Sequence, residues 1–199
     1  MIQLQQVDLK SLIGGSNQLI HLSDRDDSRW AGIQVLAPFE SFTFAVDARH
    51  DIYLLAGDLQ CDNKSYPNGS FISRNHAFTV IAGDKGTTIF WYRDTLVHAS
   101  GLESLTLDLL TWFEGRLAGI SVAQLSRMHH HLTLVSWRPD THTQPHTHPH
   151  GEEIFVLNGE LCDERGCYPA GSWLRFYPNS GHAPFAKINT LILLRNGHL

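Results

Sequence analysis

The segment of this chain with the greatest potential for chemistry is Pro145–Ile154, which reads Pro-His-Thr-His-Pro-His-Gly-Glu-Glu-Ile. His146 and His148 are two residues apart, so on an extended strand both imidazoles leave the same face and converge on one point. A proline and a glycine then break the strand, and the next strand begins at Glu152 or Glu153. Either glutamate brings a carboxylate beside the two imidazoles. The spacing predicts a metal site.

A fourth ligand has to come from a distant strand, and the turn-rich segment Asn179-Ser-Gly-His182 offers His182. Three neutral imidazoles and one carboxylate suit Zn, Fe, Mn, Ni or Cu, whereas Mg and Ca prefer shells made of oxygen. We therefore expect one divalent transition metal per chain, with Zn as the first choice and Fe(II), Mn or Ni as alternatives. The sequence does not identify catalytic residues.

The elements that must position these ligands are short apolar or alternating runs separated by Gly, Pro, Asn and Asp. No long stretch keeps a period of 3.6 residues with caps at both ends, so the pattern predicts an all-β fold. The strand candidates in the second half are Leu132–Trp137, Ile154–Leu157, Ser172–Phe176 and Leu191–Leu194. Those in the first half are Ile33–Leu36, Ile52–Leu55, Ser70–Ser73 and Thr88–Tyr92.

The chain also matches itself at a fixed offset. Asp51–Leu59 aligns without a gap with Glu153–Leu161, an offset of 102 (153 − 51). The same offset pairs Tyr66–Ser70 with Tyr168–Ser172, and Thr88–Arg93 with Thr190–Arg195. A repeat of this kind indicates stacked copies of one structural unit. We predict two units related by internal duplication, residues 1–100 and residues 101–199, with Gly57 and Gly159 in the same turn.

The first of these units lacks most of the metal-binding side chains. The positions that correspond to the four candidate ligands, in chain order, are Phe44, Val46, His50 and Val80. Only a histidine among them can bind a metal. His50 and His76 together would give two neutral ligands and weak, nonselective binding. We therefore expect a first unit without a metal and a satisfied or exposed His50.

The motifs of the second unit resemble those of the ChrR-like cupins. The segment His146–Gly159, which contains His-Thr-His-Pro-x-Gly-Glu-Glu-Ile-Phe-Val-Leu-x-Gly, is followed by Tyr168–Phe185, which begins Tyr-Pro-Ala-Gly-Ser-Trp and includes His182. The resemblance covers about residues 130–199 and reaches the first unit only through the repeat. Together with the repeat, it implies two tandem cupin barrels, each a jelly roll or double-stranded β-helix. It assigns the metal ligands as His146, His148, Glu152 and His182.

The same resemblance leaves Glu153 facing away from the metal, toward solvent or an inter-domain contact. His150 departs from the family pattern, which usually has glycine there, and we expect an exposed turn histidine that could alternatively act as a ligand. His129-His-His131 is expected on the solvated surface, and His142 in a loop.

The functions that the resemblance implies belong to two classes. The family includes the zinc-bearing C-terminal domain of an anti-sigma factor and lies near acetylacetone-type dioxygenases that use non-haem iron. The chain is therefore expected to bind or transform a small molecule at a mononuclear site, or to act as a sensor cupin with zinc and no catalysis. A purely structural metal is the third alternative. A sigma-factor partner is not expected, because the N-terminal zinc-binding module of the anti-sigma factors is missing.

A small-molecule site requires a partly apolar cavity beside the metal. The side chains expected to line it are Trp137, Ile154, Val156, Phe176 and Phe185.

Composition narrows the remaining possibilities. The formal net charge is −5, with no run of Lys or Arg that would track phosphates, so nucleic acid is not expected as a direct partner. No apolar stretch is long enough to span a bilayer, and the first residues lack a secretory signal pattern. We expect a cytoplasmic protein without a membrane partner. A homodimer is possible, and the sequence does not determine the oligomeric state.

The chain has three cysteines, and this small, odd number argues against a disulfide framework. Cys162 and Cys167 bracket a tight turn and could face each other across a hairpin. Two reduced thiols are the expected state, and pairing of these two cysteines is left open.

Overall fold

The computed structural model describes residues 2–12, 15, 17–24, 27–96, 103–126 and 131–199, with the side chain of residue 131 excepted. The chain divides into two compact units. The N-terminal unit is Leu9–Leu109, and the C-terminal unit combines Met1–Asp8 with Leu110–Leu199. The predicted boundary at residues 100 and 101 lies outside the described residues, as do His129 and His130. None of the described helices is long and apolar enough to cross a membrane.

The elements of the chain as far as the end of the N-terminal unit are almost all strands. They are β1 (Ile2–Gln6), α1 (Leu9–Leu12), β2 (Gln18–His21), β3 (Arg29–Leu36), β4 (Ser41–Phe44), β5 (Arg49–Cys61), β6 (Lys64–Tyr66), β7 (Phe71–Arg74), β8 (Phe78–Asp94), β9 (Glu103–Leu105) and a 3₁₀ turn (Leu107–Leu109).

The N-terminal unit is one antiparallel sheet that closes around an aromatic core. Its strands run β2-β3-β8-β5-β7-β9, with β4 paired to β8 and β6 paired to β5. Strands β5 and β8 each pair with several partners because register shifts near Leu54 and Gly57 bend them. The core includes Trp30, Phe44, Phe78 and Trp91, all buried.

The elements of the C-terminal unit are also strands. They are β10 (Trp112–Glu114), β11 (Ile120–Ser126), β12 (His131–Trp137), β13 (Thr141–His142), β14 (His146–His148), β15 (Glu152–Asn158), β16 (Glu160–Asp163), β17 (Gly166–Pro169), β18 (Ser172–Phe176), β19 (Ser180–His182), β20 (Phe185–Ala186) and β21 (Thr190–Asn196), together with β1.

The C-terminal unit is a sandwich of antiparallel sheets. A seven-stranded sheet has the order β1-β18-β15-β21-β12-β11-β10, and a four-stranded sheet has the order β13-β20-β16-β17. Strands β14 and β19 form a two-stranded sheet among the described residues. The core contains side chains of both larger sheets: Val135, Ile154, Leu174 and Ile192 come from the first, and Leu161 from the second. Alternate residues of each strand of the first sheet therefore face the second.

The predicted all-β fold is confirmed, and the eight predicted strand segments fall on described strands, the Ser70–Ser73 segment with a shift of one residue. The assignment of the first residues to the N-terminal unit needs correction. Strand β1 pairs with β18 from Ile2 opposite Phe176 to Gln6 opposite Ser172, so it extends the sheet of the C-terminal unit. The predicted unit of residues 1–100 therefore wrongly includes β1. A strand belongs to the sheet with which it pairs, whatever its position in the chain.

Both predicted turn glycines meet the conditions that favour glycine. Gly57 has φ +75° and Gly159 has φ +76°. A Cβ on Gly57 would lie 2.1 Å from the Gly86 carbonyl oxygen, and one on Gly159 would lie 2.2 Å from that of Asn189. A larger residue would be strained at either position and would collide with backbone.

Strand registers in the two units agree with the offset of 102 in part. Asp51 lies opposite Ser73 and Glu153 opposite Arg175, which keeps that offset. Asp51 also lies opposite Tyr92, whereas Glu153 lies opposite Arg195, which is a separation of 103 (195 − 92). The last strand is therefore shifted by one residue, and the sequence alignment of Arg93 with Arg195 does not match the pairing.

Candidate metal centre

Three of the four predicted ligands are brought together by one short strand pair. In β14 and β19, His146 lies directly opposite His182, and His148 lies opposite Ser180. His146 and His148 share a face of β14 because they are two residues apart. The turn before β19 contains Asn179, whose φ is +64° and whose N–H donates to the His148 carbonyl oxygen at 2.8 Å. That turn holds His182 in place against β14.

The three imidazoles form a nearly equilateral triangle. The ring centroids of His146 and His148 are 5.0 Å apart, those of His146 and His182 are 5.1 Å apart, and those of His148 and His182 are 5.0 Å apart. Each ring offers a nitrogen within 4.8 Å of those of the other two. Nitrogens at this spacing can reach a common point at the metal–imidazole distance of about 2.1 Å with small rotations.

Glu152 supplies the carboxylate next to this triangle. Its Oε2 lies 3.4 Å from Nδ1 of His148, and its Oε1 lies 3.5 Å from Nε2 of His182. The side chain is buried at the start of β15, directly opposite Phe176 of β18. The Phe176 ring packs against His182 at a centroid distance of 4.3 Å and closes the apolar side of the cluster.

The ring nitrogens of these histidines are only partly used by the protein. Nδ1 of His146 lies 3.0 Å from the Gln144 carbonyl oxygen, so a proton on Nδ1 leaves the Nε2 lone pair free. Nε2 of His148 is buried and has no hydrogen-bond partner among the described residues. Burial lowers the pKa of His148, with His182 and His146 adding to the effect and Glu152 opposing it. A neutral imidazole with an unused buried nitrogen fits a metal ligand.

Asp163 is a residue near the site that the sequence did not single out. Its Oδ2 lies 3.7 Å from Nδ1 of His182, and both side chains are buried. Asp163 ends β16, and the Tyr168 hydroxyl donates to its Oδ1 at 2.9 Å. The only sequence signal was its place in the turn that Cys162 and Cys167 bracket.

A cavity and a groove adjoin the histidines. The cavity, of about 130 Å³, lies inside the C-terminal unit and is bounded by His146, Glu152 and His182 on one side. Its apolar walls are Val135, Trp137, Ile154, Leu161, Ile192 and Leu194. The groove, of about 480 Å³, runs along Pro145, Thr147, Glu164 and Ala183 and shares His146 and His182 with the cavity. His146 is the exposed member of the triangle, so it lies where solvent reaches the site.

The predicted cavity lining is correct in part. Trp137 and Ile154 line the cavity. Val156 and Phe176 pack in the same core as these two residues without being among those that line the cavity, and Phe185 stacks on His142 at 5.1 Å. His142 lies on the short strand β13 rather than in a loop, because Phe185 on β20 pairs with it.

Glu153 does face away from the histidines, but it does not face solvent. Its side chain is fully buried, with Arg175 Nε 2.8 Å from Oε1 and His198 Nε2 2.6 Å from Oε2. Burial alone would raise its pKa, but attraction to His198, Arg175 and Arg195 outweighs burial and lowers the pKa to about 2. The solvent alternative is wrong because these cations compensate the buried charge.

The expectation of two reduced thiols is also wrong, because Cys162 and Cys167 form a disulfide. The two residues are directly opposite each other in the β16–β17 hairpin, which places their sulfurs side by side. They and Glu160 form a second group of metal-type side chains, but the sulfurs are bonded to each other. Cys61 is the free cysteine and is buried.

Phenylalanines in the N-terminal unit occupy the positions of two of the candidate metal ligands, and Phe78 rather than the predicted Val80 takes the place of His182. Phe44 lies opposite Phe78, as His146 lies opposite His182, and the two phenyl rings stack at 4.5 Å. His50 is buried, with Nε2 2.8 Å from the Ala45 carbonyl oxygen and Nδ1 accepting from the Trp91 indole at 3.1 Å. The expected satisfied His50 is confirmed. His76 and His150 are exposed, as is Val46.

Comparison with known families gives a match to the part of the chain that contains the site. Residues 103–199 match the family model of the ChrR cupin-like domain. A search of curated proteins finds no significant match.

Solved structures resemble the whole chain at low sequence identity. A candidate dioxygenase of Nostoc punctiforme has a TM-score of 0.81 and 14% identity, over 98% of this chain and 83% of that one. A cupin 2 conserved barrel domain protein of Leptotrichia buccalis has a TM-score of 0.67 and 15% identity, over 96% and 95%. Oxalate decarboxylase of Bacillus subtilis, a protein with Mn(II) centres, has a TM-score of 0.67 and 10% identity, over 94% and 76%. These similarities identify the cupin fold.

Proposed function

Because this chain is a cupin-fold protein with a ChrR cupin-like domain over residues 103–199, we propose that it binds one divalent transition metal through His146, His148, Glu152 and His182. The observation that carries the proposal is the triangle of imidazoles with a carboxylate against two of its corners. The unused buried Nε2 of His148 supports it, because a buried nitrogen without a partner is costly unless it has a ligand.

The donor set favours a borderline transition metal over Mg or Ca. Three nitrogens and one carboxylate suit Zn, Fe(II), Mn or Ni, and Zn remains our first choice. The oxalate decarboxylase that shares the fold has Mn(II) centres, so a redox-active ion stays among the candidate metals.

The function that the surroundings of the site favour is binding or transformation of a small molecule, in the manner of a dioxygenase. The cavity beside Glu152 gives such a molecule an apolar pocket, and the groove beside His146 gives it a route from solvent. A bound divalent metal would supply a Lewis acid that polarises a ligand oxygen. The chain itself supplies the walls that exclude water and the exposed His146 at the opening.

A sensor without catalysis is the second candidate. The observation that favours it is the disulfide in the β16–β17 hairpin, whose Asp163 approaches the His182 ring. Reduction of this disulfide would affect the metal site through one side chain, that of Asp163. The sensor and the enzyme differ in turnover, which oxygen uptake by the Fe(II)-loaded protein would measure with β-diketones as trial substrates.

The proposal is tested by the metal content of protein purified from defined medium. About one transition metal per chain is expected, and replacing His146 and His148 with alanine should empty the site because two ligands cannot hold the ion. The matched control is His150→Ala, an exposed histidine two residues from His148. A wild-type protein without metal, or a His150→Ala protein that loses it, contradicts the proposed ligand set.

We also propose that the N-terminal unit is a degenerate cupin barrel without a metal, related to the C-terminal unit by duplication. The stack of Phe44 on Phe78 and the two occupied nitrogens of His50 support this. The matched glycine turns at Gly57 and Gly159 support a common origin. Two tightly bound ions per chain would contradict it. The cytoplasmic location remains a prediction, as does the expectation that nucleic acid, membranes and sigma factors are not partners. Whether the chain forms a homodimer is left open.

A further inference from the structure

A second group of side chains that can bind metal lies on the β16–β17 hairpin. Glu160 and Cys162 are two residues apart on β16 and share a face, and Cys167 lies directly opposite Cys162 on β17. Each of the three offers a ligand atom within 4.8 Å of those of the other two. A carboxylate and two sulfurs therefore meet on one face of the hairpin.

This group and the histidine centre are on opposite faces of β16. Leu161 lines the cavity beside the histidines, and Asp163 approaches His182. Because successive side chains of a strand point in opposite directions, Glu160 and Cys162 leave the other face. The two groups have no residue in common, so an ion at one does not require an ion at the other.

The spacing of the three side chains is close to that of ligands on one ion. A sulfur at about 2.3 Å and an oxygen at about 2.1 Å from a tetrahedral zinc are about 3.6 Å apart, and two such sulfurs are about 3.8 Å apart. Sγ of Cys162 lies 3.8 Å from Oε1 of Glu160. The Cα atoms of Cys162 and Cys167 are 4.0 Å apart, so two unbonded sulfurs can reach the required separation by side-chain rotation. Cys167 is exposed, so its side chain can turn toward solvent and admit the ion.

The redox state of the two cysteines decides whether this group can bind an ion. In the disulfide the sulfurs are bonded to each other, and neither is the thiolate that binds metals. A dithiol reductant supplies two electrons and two protons to the bond, which yields two thiols and leaves the reductant as a disulfide. A metal ion then displaces the two thiol protons.

We infer that reduction of the Cys162–Cys167 disulfide creates a second metal site, formed by Cys162, Cys167 and Glu160, for a thiophilic divalent ion such as Zn(II). Thiolates select soft and borderline metals, whereas Mg and Ca prefer oxygen ligands. Oxidation by a small disulfide closes the bond again, converts the oxidant with two protons into two thiols, and releases the ion. This site is independent of the proposed function, because none of its ligands belongs to the histidine centre.

The test compares Cd(II) binding by the full-length protein with the disulfide intact and after reduction with dithiothreitol, which is removed without oxygen before the titration. Cd(II) is the probe because its bonds to thiolates absorb ultraviolet light. The reduced protein should bind one more ion per chain than the oxidised protein and should gain this absorption. Replacing His146 and His148 with alanine should leave the extra ion in place.

Variants of the hairpin test each ligand. Replacing Cys162 and Cys167 with serine should remove the extra ion and its absorption. Glu160→Gln exchanges the carboxylate for a weaker neutral ligand and should lower the affinity at least about tenfold. Two controls should keep the extra ion: Glu114→Gln, an exposed glutamate of the same unit, and Cys61→Ala, which removes the free thiol.

A measurement on the wild type covers the case in which the serine variant folds poorly. The reduced, Zn-loaded protein is treated with oxidised glutathione, and a chromophoric chelator records the released metal against the same protein kept reduced. One Zn(II) should be released for each pair of thiols that is lost.

The outcomes that overturn the inference are distinct from those that bear on the histidine centre. Equal ion counts in the oxidised and reduced protein overturn it, as does an extra ion that the serine variant retains. Loss of thiols without release of Zn(II) also overturns it. Unchanged affinity in Glu160→Gln removes Glu160 from the ligand set. Absence of an ion from the oxidised protein contradicts the proposed function and leaves this second site intact.

Discussion

Asp163 Oδ2 lies 3.7 Å from Nδ1 of His182, while Nε2 of the same ring faces Glu152. A carboxylate beside one ring nitrogen of a metal-binding histidine keeps the proton on that nitrogen. The other ring nitrogen then keeps its lone pair for the metal. Asp163 is itself held by the Arg165 backbone N–H at 2.8 Å and by the Tyr168 hydroxyl. Burial, followed by the hydrogen bond to Asp163, raises the pKa of Tyr168, so that hydroxyl remains a donor. Asp163 is thus placed to orient His182.

The first prediction follows from this placement. Asp163→Asn keeps Oδ1 as the acceptor for the turn but removes the charge beside His182, and it should lower metal affinity roughly 10- to 100-fold. Competition with a chromophoric chelator measures the affinity, and long-range ¹H–¹⁵N spectra of the metal-free protein report the His182 tautomer.

The matched control is Asp62→Asn, in a hairpin turn of the N-terminal unit with a half-exposed carboxylate. Normal affinity in Asp163→Asn with reduced affinity in Asp163→Ala would mean that Asp163 only shapes the turn.

The second prediction concerns the cysteines. The Cys162–Cys167 bond leaves Cys61 as the free thiol, and burial raises the Cys61 pKa to about 11. Without reductant, a thiol reagent should find no fast-reacting cysteine in the native protein and one thiol per chain after denaturation. Three thiols after denaturation would contradict the disulfide. Replacing Cys162 and Cys167 with alanine should cost about 2 kcal/mol of unfolding free energy, because the closed loop is short.

The sequence predicted most of the local structure of both units. Strands such as β12, β15 and β18 were predicted because their apolar runs are short and bounded by turn residues, and the tight turns at Gly57 and Gly159 were predicted because only glycine fits them. These signals are local, so they can be read without knowing which strands pair.

What the sequence could not predict depends on pairing between distant strands. The place of β1 in the C-terminal unit follows from its pairing with β18, about 170 residues later in the chain. The burial of Glu153 depends on Arg175 and His198, which no spacing rule connects to it. The approach of Asp163 to His182 depends on how β16 and β19 are arranged, so a ligand motif alone does not reveal it.

The third prediction tests the buried ion cluster around Glu153. Glu153→Gln keeps the size of the side chain but removes the charge that compensates Arg175 and Arg195, and breaking a buried pair costs about 3–5 kcal/mol. Denaturant unfolding with a chelator present measures the free energy without any contribution from metal. Glu114→Gln is the control, because Glu114 and its partner Arg138 are exposed and the change should stay within about 1 kcal/mol. Equal stability of both variants would mean that the cluster is energetically neutral.

The last prediction concerns the pH dependence of the N-terminal unit. Burial lowers the pKa of His50 below its ordinary value of 6.5, and Arg93 adds to the effect, while the hydrogen bond to the Ala45 carbonyl and the charges of Asp47 and Asp51 oppose it. Between the lowered pKa and pH 6.5, His50 is therefore protonated in the unfolded chain and neutral in the folded chain. Stability from the neutral ring is fully present above pH 6.5 and falls as the pH drops from 6.5 toward the lowered pKa.

His50→Gln removes this titration and should flatten the loss of unfolding free energy between about pH 6.5 and pH 5. His76→Gln, the exposed histidine of the same unit, should leave the slope as it is in the wild type. Denaturant midpoints of the three proteins across this range measure the difference. An unchanged slope in His50→Gln would mean that His50 has the same proton affinity in the folded and unfolded chain, which its burial between Phe44 and Trp91 argues against.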